Sequence, residues 1–397
     1  MPQIRMKEEI LNLILSTTAY GIPNILTRRR IFNKLYWFFF LITSSIISFY
    51  YTYTGIVEFY KYEVVTEIKH EYDQPSEFPT ITICSLKFYH FDEKNMSELI
   101  KMAGFGYDYG INFDDHFELL NTSIGACLRF NSGRNSNSNT IPIKNSTFGG
   151  LFDSFSIAID SPDGLAVWIH NKTSPPKIEP GDGDGDDPIT IMPGFQTNLA
   201  IEKIVDQKLE EPYNDCIRNV LTFKRNKTIV DFMLDNGQSY SQIKCINICF
   251  DLKYIENNPC NCTTARLGKV WLNCWQDEEN STLNSCTFES KKLFFNKNLK
   301  EYCSEYCPLE CYSISFKISI NILKSLYFLE PNITLIKVFY RNLKFTYISQ
   351  KPKMLFFDVL SNVGGTLGLF VGLSFVSLFE IIEILLELIF TLLSRFF

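Results

Sequence analysis

The residues best suited to do chemistry lie near the end of the chain, in an apolar stretch from Ser361 to Glu380. Small and polar residues punctuate it: Gly364, Gly365, Gly368, Gly372, Ser374 and Glu380. Glycine weakens a helix in water by about 1 kcal/mol relative to alanine, but in a membrane it lets helices approach and exposes backbone carbonyls. These residues alone leave two interpretations open: a cation pathway between like helices, or a membrane anchor with GxxxG-type packing.

Two apolar runs position these residues, and each can cross a bilayer, which needs about 20 apolar residues. Arg28, Arg29 and Arg30 precede the first run, which predicts a cytoplasmic N-terminus. We therefore predict a multi-pass plasma-membrane protein with both termini cytoplasmic and the lipid bilayer as a partner. Its predicted parts are an N-terminus 1–30, a first span 31–54, an extracellular domain 55–353, a second span 354–393 and a C-terminus 394–397.

Cysteines and glycosylation sequons agree with this topology. All twelve cysteines lie between the two runs, as is typical of disulfides in an oxidising compartment. The sequons predicted to carry glycans also lie only there: Asn95, Asn121, Asn145, Asn171, Asn226, Asn280 and Asn332. Asn261 begins a further sequon, but it lies between two cysteines.

Several function classes lack support in the sequence. The formal net charge of −6 predicts no nucleic-acid partner. The four histidines are scattered, and we find no catalytic triad and no phosphate-binding loop. The acidic GDGDGDDP loop at 181–188 fails the EF-hand template, because Asp187 and Pro193 stand where glycine and glutamate are needed. We therefore predict no metal, no cofactor and no enzymatic activity.

The extracellular part reads as α+β. Phe78–Cys84 predicts a buried strand, whereas 86–109 has a weak pattern that favours helix. The runs 155–159 and 165–169 flank a Ser-Pro-Asp-Gly turn, which predicts a hairpin. Two further predicted strands, antiparallel and leading into the second span, are 312–320 and 335–347.

Five motifs occur in order along the chain. They are F-P-T-I-T-I-C at 78–84, C-L-R-F-N-S-G at 127–133, P-G-F-Q-T at 193–197, P-Y-x-x-C at 212–216 and the glycine-rich signature at 364–380. Together they resemble the epithelial sodium channel/degenerin family, which includes acid-sensing and peptide-gated channels. The resemblance implies a trimeric channel. Each subunit would have two transmembrane helices and a disulfide-rich α+β extracellular domain with a palm-type antiparallel sheet and thumb helices.

The resemblance also assigns a pore. Gly372, Leu373 and Ser374 fall on the family's G-x-S selectivity filter, where the helix is interrupted. Oxygen ligands there replace part of a cation's hydration shell; Gly372 would supply a carbonyl and Ser374 would pack the filter. Four more residues are assigned to the pore: Gly365, Gly368, Ser361, where larger side chains hold degenerin channels open, and Asn362, where many members have aspartate. Glu380 is expected to face the inner pore, because ionisable groups at membrane depth are usually functional.

Gating residues follow from the same resemblance. Tyr20 and Gly21 align with a His-Gly gating motif, although the histidine is absent here. Tyr213, at the base of the thumb, would pack on an aromatic residue just outside the first span, either Tyr60 or Tyr62. A plain core aromatic is the alternative for Tyr213.

The resemblance, unlike the spacing of the cysteines, implies a disulfide connectivity. The last five of its pairs would form a ladder within the cysteine-rich thumb region, 216–311. The pairs are Cys84–Cys127, Cys216–Cys311, Cys245–Cys307, Cys249–Cys303, Cys260–Cys286 and Cys262–Cys274.

These implications add up to one expected function. The chain is expected to be a subunit of a sodium-selective, amiloride-sensitive homo- or heterotrimeric channel, opened by an extracellular peptide or by protons. Mechanical or constitutive opening within the family remains an alternative. So do an ATP-gated two-span channel, although clustered lysines for phosphate are missing, and a non-conducting cell-surface receptor.

Overall fold

The computed structural model describes residues 25, 27–86, 96–108, 110–122, 125–172, 188–218, 240, 242, 245–246, 249, 297–324, 331–372, 374, 377, 379, 382, 386 and 389. It divides into two compact units, one of Met1–Val65 with Lys351–Phe397 and the other Thr66–Gln350. The helices are α1 (Ile31–Phe59), α2 (Met96–Leu99), α3 (Phe113–His116), α4 (Lys297–Tyr306) and α5 (Phe356–Phe370), with a 3-10 turn at Leu151–Asp153.

Two apolar helices pack together in the first unit. Among the described helices, α1, extended to Tyr60, is the one that is long and apolar enough to cross a membrane, whereas α5 is apolar but shorter. Helix α1 contacts α5 through Thr52, whose hydroxyl lies 3.4 Å from that of Thr366, and through Tyr51, whose ring stacks on Phe370. Small polar residues are common where membrane helices meet, because they allow close approach and hydrogen bonding.

The larger sheet of the second unit has seven strands: β1 (Val64–Tyr72), β4 (Ile100–Phe105), β8 (Phe155–Asp160), β11 (Phe195–Gln207), β14 (Tyr312–Lys324), β15 (Ile333–Tyr340) and β16 (Lys344–Pro352). Strand β11 is its organising element. Strand β14 pairs with β11 antiparallel over all 13 residues. On its other side, β11 pairs in parallel with β15 and then with β16.

A second sheet has five strands: β3 (Thr80–Ser85), β5 (Phe117–Thr122), β6 (Gly125–Phe130), β9 (Leu165–His170) and β10 (Ile189–Ile191). Two short ladders join β2 (Ser76–Glu77) to β7 (Asn145–Ser146) and β12 (Cys216–Ile217) to β13 (Leu309–Glu310). One core cluster contains residues of both large sheets. At its centre Phe130 of β6 stacks on Phe155 of β8, with ring centroids 4.1 Å apart.

The buried strand predicted at Phe78–Cys84 is confirmed, and a motif asparagine explains how its entry is held. All six residues of β3 are buried. Asn131 has a φ of +60°, a conformation that asparagine tolerates better than most residues. Its amide donates to the Phe78 carbonyl at 2.6 Å and accepts from the Lys144 backbone N–H at 2.7 Å. The asparagine of C-L-R-F-N-S-G therefore ties the start of β3 to the β6–β7 connection.

The structure corrects three sequence-based predictions. Within 86–109, the described residues give one helical turn, α2, and a strand, β4, in place of a longer helix. The Ser161–Gly164 turn forms, but β8 and β9 on either side of it pair in different sheets, so there is no hairpin. The third correction concerns 335–347.

The run 335–347 belongs to two strands, because Arg341–Leu343 interrupt it between β15 and β16. Both strands run parallel to β11, so the palm-type sheet is mixed and not wholly antiparallel. The predicted antiparallel strand at 312–320 is present within β14.

Four disulfides are present among the described residues: Cys84–Cys127, Cys216–Cys311, Cys245–Cys307 and Cys249–Cys303. They are pairs that the resemblance implies. Cys245 and Cys249 are both helical, as their spacing suggested. The remaining four cysteines, Cys260, Cys262, Cys274 and Cys286, lie outside the described residues.

Removing the buried Cys84–Cys127 bond should destabilise the extracellular domain strongly. The bond closes a loop with a sequence separation of 43, for which chain entropy predicts about 4 kcal/mol. Because whole domains are stable by only about 5–15 kcal/mol, we expect the double variant Cys84→Ser/Cys127→Ser to lose most of its cell-surface expression, measured by biotinylation. Ser85→Ala in the same strand is the control. Unchanged surface expression of the double variant would contradict the expectation.

Candidate functional site: a break in the second apolar segment

The second apolar segment is broken at its most glycine-rich part. Helix α5 ends at Phe370, and the Val371 N–H still donates to the Leu367 carbonyl at 3.0 Å. Gly372 follows with a φ of +73°. This is the left-handed conformation that glycine commonly adopts just after a helix, because a Cβ there is strained.

A second helical stretch begins at Ser374. The Ser374 N–H donates to the Ser377 hydroxyl at 3.0 Å, and the Ser377 N–H donates to the Ser374 hydroxyl at 3.3 Å. These reciprocal bonds form a capping box, which satisfies two N–H groups at a helix start. The described residues that follow are helical: Ser377, Phe379, Ile382, Leu386 and Ile389.

The break presents groups that favour a cation. A helix that ends leaves the carbonyls of its last turn without intrahelical partners. Its dipole also places a partial negative charge there. The end of α5 at Phe370 therefore carries oxygen ligands and a favourable field, while the opposing N–H groups at Ser374 and Ser377 are engaged with each other's hydroxyls.

One face of α5 carries only small side chains. At 100° per residue, Ser361, Gly365 and Gly368 lie within about 60° of one another, roughly opposite the face through which Thr366 and Phe370 contact α1. A Cβ added at Gly365 would meet no heavy atom within 4 Å. This face is therefore open in the single chain.

The other predicted pore residues divide into described and undescribed ones. Ser361 and Asn362 are exposed within α5, and the Asn362 carbonyl accepts from the Thr366 hydroxyl at 2.8 Å. Leu373 and Glu380 lie outside the described residues. The metal-ligand search of the described part found no cluster of candidate residues.

The predicted gating residues are not brought together by any described contact. Tyr62, with a φ of +50°, packs against Phe59 and Tyr60. Tyr213 belongs to the other unit, and its N–H donates to the Glu210 carbonyl at 3.1 Å. Its coupling to Tyr60 or Tyr62 stays a prediction. Tyr20 and Gly21 lie outside the described residues.

Glycosylation also stays a prediction. Asn145 and Asn332 are exposed, Asn171 is half-buried, and Asn121 lies in β5. Asn95, Asn226 and Asn280 lie outside the described residues.

The sequence analysis missed a clasp between the segments that join the two helices to the sheet. The Lys353 ammonium lies 2.6 Å from the Glu63 carboxylate, and the Lys353 N–H donates to the Glu63 carbonyl at 2.9 Å. No local pattern predicts this contact, because the two residues are 290 positions apart. It also missed Ser377, although the S-x-x-S spacing with Ser374 is a recognisable capping signal.

The clasp should be insensitive to mild acid. The hydrogen bond and the charge of Lys353 lower the pKa of Glu63, and Glu63 in turn raises the pKa of Lys353. The contribution of Glu63 is thus complete above its unfolded pKa, about 4.3, and is lost only as pH falls through a still lower value. The contribution of Lys353 is complete below its unfolded pKa, about 10.4, and is lost only as pH rises through a still higher value.

We therefore expect the ratio of Glu63→Gln to wild-type current to stay constant between about pH 8 and pH 5. Whole-cell recording across this range measures it. Glu202→Gln, which removes an exposed carboxylate paired with Arg341, is the matched control. A ratio that changed with a midpoint between pH 7 and pH 5 would contradict the assignment of the clasp as permanently charged.

Comparison with known proteins places the chain in a family. The sequence model of the amiloride-sensitive sodium channel family matches residues 13–101 and 88–384. The chain therefore belongs to this family, which is one of ion channels and not of enzymes.

Individual relatives are distant. The human bile acid-sensitive ion channel is 22% identical over 94% of this chain, degenerin del-1 of Caenorhabditis elegans 24% over 72%, and human acid-sensing ion channel 2 26% over 69%. The chain spans 84% of the first relative but only 43% and 54% of the other two. A solved proton-activated chloride channel aligns over 88% of the chain at 6% identity, with a TM-score of 0.39, which is too low to support an argument.

Proposed function

We propose that the chain is a subunit of a sodium-selective, amiloride-sensitive cation channel. The observation that carries the proposal is the break at Gly372 in a chain of this family. A helix C-terminus beside a left-handed glycine offers backbone carbonyls to a cation. Carbonyl rings of this kind replace the hydration shell in selective channels. Sodium is the proposed permeant ion, and no cofactor is needed.

The proposed topology has two membrane crossings. Helix α1 is the first. The second combines α5 with the helical stretch after Ser374, so a half-helix on each side of the break would share the crossing. Interrupted helices that meet near the middle of a membrane are a known way to build ion sites. The cytoplasmic termini and the plasma-membrane location proposed here rest on Arg28–Arg30 and on the cysteines.

A pore on a shared axis requires several copies. The small-residue face of α5, with Ser361, Gly365 and Gly368, points away from α1 and would be covered by the α5 helices of two neighbouring subunits. Small residues allow such helices to approach closely. Another relative is named as the gamma subunit of an epithelial sodium channel, which supports assembly with related chains. We propose a homo- or heterotrimer.

An extracellular chemical stimulus is the proposed trigger, either a peptide or protons. The names of the relatives include acid-sensing and bile acid-sensitive channels. A stimulus opens a channel only through different affinities for the closed and open states.

Expression in oocytes with ion substitution tests the proposal. Replacing external sodium by potassium and then by N-methyl-D-glucamine should shift the reversal potential of an amiloride-blocked current as a sodium-selective pore requires. The stimuli are acid, a panel of neuropeptides and bile acids. Surface-expressed protein that gives no cation current under any of them, even with the pore variant Ser361→Trp, would overturn the proposal.

A further inference from the structure

A cavity of about 420 Å³ lies in the extracellular unit, away from the apolar helices. Its lining comes from the entry to β3, from β11 and from the strands β12, β13 and β14. Its volume falls within the range of about 300–1,000 Å³ that is typical of small-molecule sites. None of the residues assigned to the pore or to gating lines it.

The cavity has an apolar wall. Phe78 and Pro79 precede β3, Ile217 belongs to β12, and Ile314 and Phe316 belong to β14; all five line the cavity. Aromatic and aliphatic walls of this kind hold the body of a ligand, while a few polar groups fix its orientation.

Cationic side chains outnumber carboxylates in the lining. Lys172, Lys203 and Arg218 face two carboxylates, Glu77 and Glu310. Both carboxylates already have partners: Glu77 lies 2.9 Å from the Lys172 ammonium, and Glu310 accepts the Gln242 N–H at 3.0 Å. The lining is therefore better suited to an anion than to a cation.

Arg218 is the group best placed to recognise an anion. Its Nε lies 2.8 Å from Glu210, and its side chain is 62% exposed. Among the described residues, neither of its terminal nitrogens makes a hydrogen bond. A guanidinium fork binds a carboxylate through two parallel hydrogen bonds. Lys203, by contrast, is 13% exposed and held at 2.6 Å by Asp73, which makes it part of the wall.

Two hydroxyls add donors. Tyr312 and Ser313, adjacent on β14, line the cavity. Their hydroxyls make no hydrogen bond within the part of the chain that the structure describes. Burial raises the pKa of Tyr312, with further contributions from Tyr347, Asp73 and Glu77, so its hydroxyl keeps its proton.

We propose that this cavity binds an amphipathic organic anion, in which a carboxylate or sulfonate pairs with Arg218 and an apolar body packs on Phe78, Ile314 and Phe316. The site does not depend on ion conduction, so it can be tested without a current.

The test is protection of an engineered cysteine. Ser313→Cys, expressed in the full chain on intact cells, is labelled with a membrane-impermeant biotin maleimide, with wild type as background. The probes are 1-naphthylacetate and its neutral amide, 1-naphthylacetamide. At ten times its Kd, the carboxylate should slow labelling about tenfold, while the amide should have little effect.

Arg218→Gln in the same background should raise the half-protecting concentration by about tenfold or more, since hydrogen bonds to charged groups are strong. Arg218→Lys, which keeps the charge but loses the fork, should lie between the two. Arg341→Gln, an exposed arginine outside the cavity, should cause no shift.

Three results would overturn the proposal: no labelling of Ser313→Cys, because the cavity would be closed; equal protection by carboxylate and amide; or protection by the carboxylate that both Arg218 variants retain in full. A chain that binds the carboxylate but conducts no ions would support this site and contradict the proposed channel function, so the two can fail separately.

Discussion

Replacing Gly372 by alanine should reduce the preference for sodium over potassium while leaving the protein at the cell surface. The φ of +73° costs an L-residue with a Cβ about 1–2 kcal/mol. In a trimer the change occurs three times at one constriction, which amounts to about 3–6 kcal/mol per channel. The break would relax toward regular helix, and the carbonyls would turn away from the axis. The measurement is the reversal-potential shift on sodium–potassium exchange.

Two further variants separate backbone conformation from side-chain size. Asparagine is larger than alanine but tolerates the left-handed conformation better. If conformation decides, Gly372→Asn should be milder than Gly372→Ala, whereas if space decides it should be worse. Gly55→Ala, in the middle of a helical turn with no heavy atom within 4 Å of the added Cβ, is the matched control. Wild-type selectivity in Gly372→Ala would show that the break is not the filter.

A bulky residue at Ser361 should hold the channel open without a stimulus. Ser361 lies on the small-residue face of α5, where neighbouring subunits would meet when the pore is closed. A tryptophan there would fit only if the helices separated. Because a resting minor state is typically populated at about 0.1–10%, the standing amiloride-blocked current of Ser361→Trp should exceed that of wild type about tenfold or more.

Leu360→Trp provides the control for this expectation. Leu360 is also exposed, but it lies about 100° round the helix from Ser361. A tryptophan at this position should leave the resting current near that of wild type. Equal standing currents from both variants, or none from either, would contradict a closed-state contact on the Ser361 face.

Local patterns predicted the elements whose cause is local. The β-branched run before Cys84 gave a fully buried strand, and the glycine and serines of the second apolar segment lie where the helix breaks and restarts. The pairing of four disulfides came from the resemblance, since spacing alone leaves many connectivities open.

Long-range pairing was beyond the sequence. The Ser161–Gly164 turn has the residues of a hairpin, yet β8 pairs with β15 and β4 while β9 pairs with β3 and β10. Turn chemistry fixes the direction of the chain over four residues, but the partners of a strand are decided by which apolar faces can be buried together. The same reason explains why the parallel pairing of β15 and β16 with β11 was missed.

The reciprocal bonds between Ser374 and Ser377 have a consequence for how the constriction responds to its surroundings. Both hydroxyls are occupied by backbone amides, so an ion at the break would meet peptide oxygens and not side chains. The sequence from Val371 to Ser377 contains no group that gains or loses a proton near neutrality. The charge of the narrowest part would thus stay fixed from gut lumen to acidified tissue, and any response to acidity must begin elsewhere in the molecule.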